Sequence, residues 1–263
     1  MLQLKTVGVL LRDPSQEFPI EQMERLLGRV GAKIHLLNAG PPKEKLDLVI
    51  AMGGDGTVLH ALEMLPDCPV LAINFGTVGF LTAGESHDME AFLSRLLEND
   101  FIVSTRLLLR CDYLGKTAHA VNEVVLRSTL GMIRVEVFVN EAKIRTIRGD
   151  GVIVGTPTGS TGYLLSTGAP VVMPDMNCFI LDGINEYNFS SRALILPPES
   201  RIRLHIPSLR PDQEVMLIVD GKQRGKLKSG EETNLSQSDH RARMIFFDKD
   251  YFFHNLSSRL SWN

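Results

Sequence analysis

Long apolar runs are missing from this sequence: none approaches the roughly 20 residues that a membrane-spanning helix needs, which argues against a membrane protein built on helices. Excess charge of one sign is missing too. With 28 basic and 31 acidic residues and a formal net charge of −3, the chain offers no electrostatic footprint for nucleic acid or an anionic membrane surface. Cysteine is sparse: Cys68, Cys111 and Cys178 are scattered, odd in number and unaccompanied by a Cys-x-x-Cys or a histidine pair. Such spacing suggests neither a disulfide frame nor a zinc site, fits a reducing cytoplasm, and makes the three small core residues. The seven histidines show no metal spacing, and His60 is read as structural. The opening "MLQLKTVGVLLRDP" has a short apolar run and no small-residue cleavage site, so it reads as a first strand rather than a signal peptide.

What remains is 263 residues of ordinary composition, 44% hydrophobic and 22% charged, enough for two modest domains. Residues 7–11, "VGVLL", read as a buried strand, followed by Ile20, Met23, Leu26, Leu27 and Val30 at helical intervals before Gly31. "KIHLL" (33–37), "LDLVIAM" (46–52) and "PVLAIN" (69–74) read as strands. "TVLHALEML" and "HDMEAFLSRLLEND" read as helices, the second with Met89, Phe92, Leu93, Leu96 and Leu97 inward. This alternation implies a parallel sheet covered on both faces, with ligands at the carboxyl ends of its strands. From about residue 101 the pattern changes to short β-branched segments with hairpin-like breaks, which implies a β-rich second domain over 101–247. The closing "DYFFHNLSSRLSWN", with Phe252, Phe253, Leu256 and Leu260 at helical spacing, is expected to pack back on the α/β domain of residues 1–100. There is no internal repeat or low-complexity segment.

Residues 50–62, "IAMGGDGTVLHAL", join an apolar strand to a helix through Gly53-Gly54-Asp55-Gly56-Thr57. A glycine turn that opens a helix offers backbone N–H groups and a positive dipole end, a common way to hold phosphate. Asp55 would repel that phosphate, where the usual phosphate loop has a lysine. Two tasks suit a carboxylate there: holding a divalent metal, or engaging the hydroxyl that attacks phosphorus.

A second polar stretch, "IRGDGVIVGTPTGSTGYLLSTGAP" (147–170), combines Gly155, Gly159, Gly162 and Gly168 with the hydroxyls of Thr156, Thr158, Ser160, Thr161 and Ser166. It suits a flat or phosphorylated ligand lying against backbone, or else a plain loop whose threonines cap a helix over "STGYLLST". Asn122-Glu123 in "HAVNEVVL" and Arg148 with Asp150 in "IRGDG" are polar pairs in otherwise apolar strand. A carboxylate can accept from a ribose diol and an amide can read an adenine edge. Equally, the first pair can mark a bulge and the second a surface ion pair.

Taken together, "GGDGT" (53–57), "INFGTVGFL" (73–81), "NEVVL" (122–126), "RGDGVIV" (148–154) and "TPTGSTGYLLSTGAPVV" (156–172) resemble the NAD kinase family in order and spacing, and "VDGK" (219–222) extends the likeness. A lone "GGDGT" would not distinguish phosphofructokinases or diacylglycerol-type lipid kinases. The long second block does. The resemblance implies a phosphofructokinase-like α/β domain joined to a β-rich NAD-binding domain. It also implies phosphoryl transfer to the 2′-hydroxyl of the adenosine ribose of NAD, from ATP or polyphosphate, with a divalent metal such as Mg²⁺.

Carried onto matching positions, the resemblance makes Asp55 the group that engages the attacking hydroxyl, with Gly56 beside it. It makes Asn122 and Glu123 lining residues of the NAD site, Arg148 and Asp150 contacts near the nicotinamide half, and Thr161, Gly162, Tyr163 and Ser166 the segment that holds the dinucleotide. It further implies a homodimer or homotetramer whose site is completed across a subunit interface, and the cysteine pattern places it in the cytoplasm. No metal ligand follows beyond a second role for Asp55. A carboxylate is a weak base for a ribose hydroxyl, so the role expected of Asp55 is to aim that hydroxyl and take its proton late. The Pro-Ile-Cys-Pro-His type motif of relatives is absent from "LDGINEYNFSSRALILPP" (181–198), and Lys222 stands where relatives often have Gln. Alternatives are a sugar or lipid kinase with the same loop, or a protein that binds NAD or NADP without catalysis.

Overall fold

The computed structural model describes residues 4–13, 20–76, 79–188 and 191–260, without the side chains of Ile20 and Gln22. Four features of the sequence therefore lie outside the described residues: the side chain of Ile20, residues 77–78 of the second glycine turn, residues 189–190, and Trp262. The chain divides into two compact units, residues 1–105 with 242–263, and residues 106–241.

In the first unit, β1 (Thr6–Leu11), β2 (Lys33–Leu36), β3 (Leu48–Met52) and β4 (Pro69–Asn74) alternate with α1 (Ile20–Gly28), α2 (Asp55–Met64) and, after β5 (Gly84–Glu85), α3 (Met89–Leu97). The strands run parallel in the order β2-β1-β3-β4, and Arg243–Ile245 near the chain's end add a further parallel strand beside β4. The strands β1 and β3 are buried at every position, as a sheet sandwiched between helices requires. Met23, Leu26 and Leu27 of α1 and Met89, Leu93 and Leu96 of α3 enter one core with them, with Phe92 and Leu97 packed at its margin. Val30, read at helical spacing with these residues, falls outside the helix: α1 ends at Gly28, and Val30 sits beyond it, 50% exposed. The last helix, α4 (Tyr251–Leu260), belongs to this unit, burying Phe252 and Leu256 while Phe253 stays exposed. Tyr251 stacks on Phe246, and its hydroxyl donates to Ser104 Oγ at 3.3 Å.

The second unit is β-rich, with strands β6 (Ile102–Tyr113, entering from the first unit), β7 (Lys116–Ala120), β8 (Glu123–Ser128), β9 (Ile133–Val139), β10 (Ala142–Gly149), β11 (Gly151–Gly155), β12 (Phe179–Ile184), β13 (Leu194–Leu196), β14 (Ile202–His205), β15 (Val215–Val219), β16 (Lys222–Leu227) and β17 (Glu232–Phe246, leaving it at 242). An antiparallel sheet in the order β13-β12-β11-β8-β15-β16 lies against β9, β10, β14 and the β6–β7 hairpin. Alternate residues of the central strands separate cleanly. Val124, Leu126, Val152, Val154, Phe179 and Leu181 join the core between the sheets. Val125, Ile153 and Ile180 face the other way, against Leu164, Ala169 and Val172. The glycine-rich stretch after β11 thus roofs the outer face of this sheet, which explains why its central strands read as continuous apolar runs rather than alternating ones.

Candidate nucleotide and phosphoryl-transfer site

In the first unit, β3 ends at Met52 and the chain turns through Gly53 and Gly54 into α2, whose first residue is Asp55. The turn therefore sits at the carboxyl edge of the parallel sheet. Its three glycines differ in what they tolerate. A Cβ on Gly53 would strike Thr57 Oγ1 and come within 2.9 Å of Arg12 Cβ, whereas one on Gly54 or Gly56 would meet nothing within 4 Å. Gly53 is thus required by packing, and Gly54 and Gly56 keep open space over a helix N-terminus whose first amides have no acceptor one turn back.

The Asp55 carboxylate points to the second glycine turn. Its Oδ2 accepts the Phe80 N–H at 3.0 Å and its Oδ1 accepts the Leu81 N–H at 3.0 Å. Each oxygen keeps a further lone pair for a ligand. Buried Asn74, at the end of β4, donates Nδ2 to the Gly76 carbonyl at 2.8 Å, while its Oδ1 has no hydrogen-bond partner. His60 lies exposed on α2.

In the second unit the sequence-predicted residues fall into two groups. Asn122 and Glu123 lead into β8 and lie against the roof segment. A Cβ on Gly159 would overlap the Asn122 carbonyl, and Thr156 N–H donates to that same oxygen at 2.8 Å. Thr158–Thr161 and Tyr163–Thr167 are single 3₁₀ turns rather than one α-helix, joined at Gly162. Thr161, Ser166 and Thr167 bond back to carbonyls three residues earlier, which satisfies the short turns without a capped helix. Gly162 is exposed, its Cβ position 3.3 Å from Glu123 Oε2 and 3.6 Å from Asn122 Nδ2, so the small residue there sits over both side chains.

Glu123 is 7% exposed. Burial, and then the neighbouring Asp220 charge, push its carboxyl up to about 8, although the Tyr163 N–H donates to it. Its Oε2, like Asn122 Oδ1, is buried without a hydrogen-bond partner. Both backbones are anchored by Asp220, whose carboxylate accepts N–H groups from Val121 (2.7 Å), Asn122 (2.8 Å) and Glu123 (3.1 Å). Asp220 (φ 45°) and Gly221 (φ 75°) form the tight turn between β15 and β16, the left-handed pair that an Asp-Gly hairpin favours.

Arg148 and Asp150 form the other group. They make no ion pair with each other. Arg148 is exposed, while Asp150 accepts from Asn185 Nδ2 at 2.8 Å. Strand pairing sets Gly155 opposite Glu123 and Gly151 opposite Arg127, so Asp150, one residue beyond Gly151, lies past the far end of β11 from Glu123, about 17 Å at the usual strand rise. Within one chain the structure brings Asn122 and Glu123 together with Thr161–Tyr163, but not with Arg148 and Asp150. Asn185 and Glu186 belong to the 181–198 segment that departs from the expected motif. Glu186 is nearly buried, accepting from Ser191 Oγ at 2.7 Å and lying 3.7 Å from Arg145. It fits because Gly183 has no side chain, since a Cβ there would come 2.5 Å from Glu186 Oε2.

Sequence reasoning missed four residues that shape these sites: Phe80 and Leu81, which act through backbone amides, Arg106, and the anchoring role of Asp220. Arg106 is buried and donates to Thr158 Oγ1 at 3.4 Å. Only Asp220 had a usable signal, the Asp-Gly turn of "VDGK"; Lys222 in that turn is exposed. Cys111 and Cys178 are buried and Cys68 half-buried, all three with free thiols. Among the described residues no three His, Cys, Asp or Glu side chains cluster as a metal site, and no helix is long and apolar enough to cross a membrane.

Comparison with known proteins matches residues 36–101 to the ATP-NAD kinase N-terminal domain and residues 121–247 to the ATP-NAD kinase C-terminal domain. The chain is 38% identical over 212 residues to an NAD kinase of Thermococcus gammatolerans, covering 79% of this chain and 76% of that protein. Among solved structures, an NAD kinase from Archaeoglobus fulgidus in complex with ATP superposes with a TM-score of 0.81 at 28% identity, covering 98% of this chain and 100% of that one. Yeast NADH kinase complexed with NADH shares the fold, with a TM-score of 0.88 at 22% identity over 99% of this chain and 89% of that one.

Proposed function

This chain belongs to the NAD kinase family and phosphorylates NAD to NADP, and from that premise we propose which groups hold its substrates. The adenosine part of NAD lies on Asn122, Glu123 and the Thr161–Ser166 turns. The observation that carries this assignment is the pair of buried acceptors, Asn122 Oδ1 and Glu123 Oε2, left without partners under a roof of glycines and hydroxyls. Buried polar atoms are normally satisfied, and an adenine amino group and ribose hydroxyls are donors of the right kind. Tyr163 and the exposed Gly162 border the same space.

Asp55 aims the 2′-hydroxyl at phosphorus and accepts its proton late in the transfer, as expected of a loose transition state in which positioning counts most. The proton passes from the hydroxyl to an Asp55 oxygen as the O–P bond forms and the donor's leaving oxygen departs. Gly54 and Gly56 leave room for the donor phosphates above the first turn of α2. ATP is the donor we favour, supported by the ATP complex of the Archaeoglobus relative. Polyphosphate is the alternative.

A divalent metal such as Mg²⁺ fits this loop if most of its ligands are phosphate oxygens and water, which suits its octahedral habit. With two lone pairs engaged by Phe80 and Leu81, Asp55 has one free site per oxygen and is the single protein carboxylate offered by the turn. Bound there, the metal would offset the negative charge between Asp55 and the phosphates.

Arg148 and Asp150 contact the nicotinamide half of NAD held by another subunit, which accounts for their position at the opposite end of β11 from Glu123. The active form on this reading is a homodimer or homotetramer, in the cytoplasm. Exposed Leu130, Met132, Met176, Tyr187 and Ile195 on the second unit provide apolar surface for such contacts. The test is NADP formation by the purified protein from NAD with ATP, with polyphosphate, and with each after metal chelation. NADP from ATP, lost on chelation, is expected; turnover that survives removal of every divalent ion would overturn the metal assignment.

A further inference from the structure

We propose that Gly79 is a positioning residue for phosphoryl transfer: its missing side chain creates the seat in which the Asp55 carboxylate is held by the Phe80 and Leu81 amides. This rests on the reading of Asp55 given above. A Cβ built on Gly79 would overlap Asp55 Oδ1 and lie 2.5 Å from its Cγ and 3.0 Å from Oδ2. The three nearest atoms to the added carbon all belong to the Asp55 carboxyl group. The requirement is for space, and the space belongs to the carboxylate.

The seat is braced from three sides. Gly79 N–H donates to the hydroxyl of buried Thr82 at 3.3 Å, and Ala83 N–H donates to the Ala72 carbonyl of β4 at 2.8 Å. On the far side of the Phe80 peptide, Asn255 Nδ2 of α4 donates to the Phe80 carbonyl at 3.2 Å. The peptide whose N–H orients Asp55 is therefore fixed by the closing helix. That gives α4 a task beyond covering the sheet. Two amides on two different oxygens fix both the position and the plane of a carboxylate, whereas one would leave it free to rotate. A group that must point at an attacking hydroxyl benefits from that constraint, because about an ångström of misplacement can cost roughly 100-fold in rate.

The experiment is a double-mutant cycle on the intact protein with Gly79→Ala, Asp55→Ala and the combined variant, reading steady-state kinetics and thermal midpoint. Gly79→Ala is expected to lower kcat by about 100-fold while the KM for NAD stays within about threefold. In the Asp55→Ala background, where the obstructing carboxylate is gone, adding Gly79→Ala should cost nothing further in turnover or in Tm. Should Gly79→Ala alone fail to fold, recovery of a folded double variant supports the same seat. Equal losses from Gly79→Ala in both backgrounds, a double variant that also fails to fold, or an unimpaired Gly79→Ala enzyme would overturn the proposal. Full turnover by Asp55→Ala would instead remove Asp55 from the transfer step, and the Tm cycle would still report whether Gly79 makes room for it.

Discussion

Asp220 Oδ1 accepts the Asn122 N–H at 2.8 Å, joining the turn after β15 to the residue that immediately precedes β8. The same carboxylate takes the Val121 and Glu123 amides, so one side chain fixes the backbone on both sides of Asn122. Asp220→Ala leaves these amides without their acceptor, at about 1–3 kcal/mol for each that stays buried and unpaired. The expected outcome is a protein destabilised by at least about 2 kcal/mol in urea titration, with a KM for NAD raised more than about tenfold. Asp220→Asn, which keeps one acceptor oxygen, should fall between wild type and the alanine variant.

Glu123 makes stability depend on pH. Its carboxyl is raised from 4.5 to about 8 in the folded chain, so the native state holds the proton more tightly than the unfolded state. The contribution is fully present below the unfolded value and is lost as pH rises through the folded one. Stability should therefore fall between about pH 4.5 and 8, with a limiting slope near 1.4 kcal/mol per unit. Denaturant midpoints measured across that range should show the slope in wild type and a much smaller one in Glu123→Gln, which keeps the shape of the neutral acid.

The α/β half was legible because helical and strand periods leave their marks on α3 and β1–β4, and "GGDGT" announces a turn at the carboxyl edge of the sheet. The candidate site could be read as residue types and less so as geometry. Glu123 could be singled out as a polar residue in apolar strand, yet its burial beside Asp220 depends on a hairpin almost 100 residues later, which no local pattern reveals. Phe80 and Leu81 act through amides that every residue carries, so their identity says nothing about the Asp55 seat. "STGYLLST" has helical spacing but folds as two 3₁₀ turns, because Leu164 is its one buried apolar side chain while Ser166 and Thr167 bond back to their own turn. Nor could sequence foretell that Asn185, inside the divergent 181–198 segment, would hold Asp150.

The separation of Asp150 from Glu123 along β11 gives a test of subunit sharing. Glu123→Ala and Asp150→Ala should each be poorly active alone. If the proposed interface completes the site, mixed oligomers assembled from the two variants regain part of the activity, because some sites draw both native residues from different chains. Mixtures shown by mass measurement to have exchanged subunits, yet no more active than the separate variants, would count against sharing.

Asn185→Ala removes the hydrogen bond to Asp150 at the surface end of β11. Since the bond is exposed, stability should change by less than about 1 kcal/mol. The KM for NAD should rise severalfold with little change in kcat, a pattern read directly from steady-state kinetics.

The central claim is that Asp55 acts in the transfer step while Asn122, Glu123 and the roof segment hold NAD. Asp55→Asn tests it most directly, with NAD affinity measured by calorimetry and NADP formation measured on the same preparation. The account predicts affinity within a few-fold of wild type and turnover reduced by at least about 100-fold. Turnover at the wild-type rate, or a loss of NAD binding large enough to explain the whole defect, would contradict it.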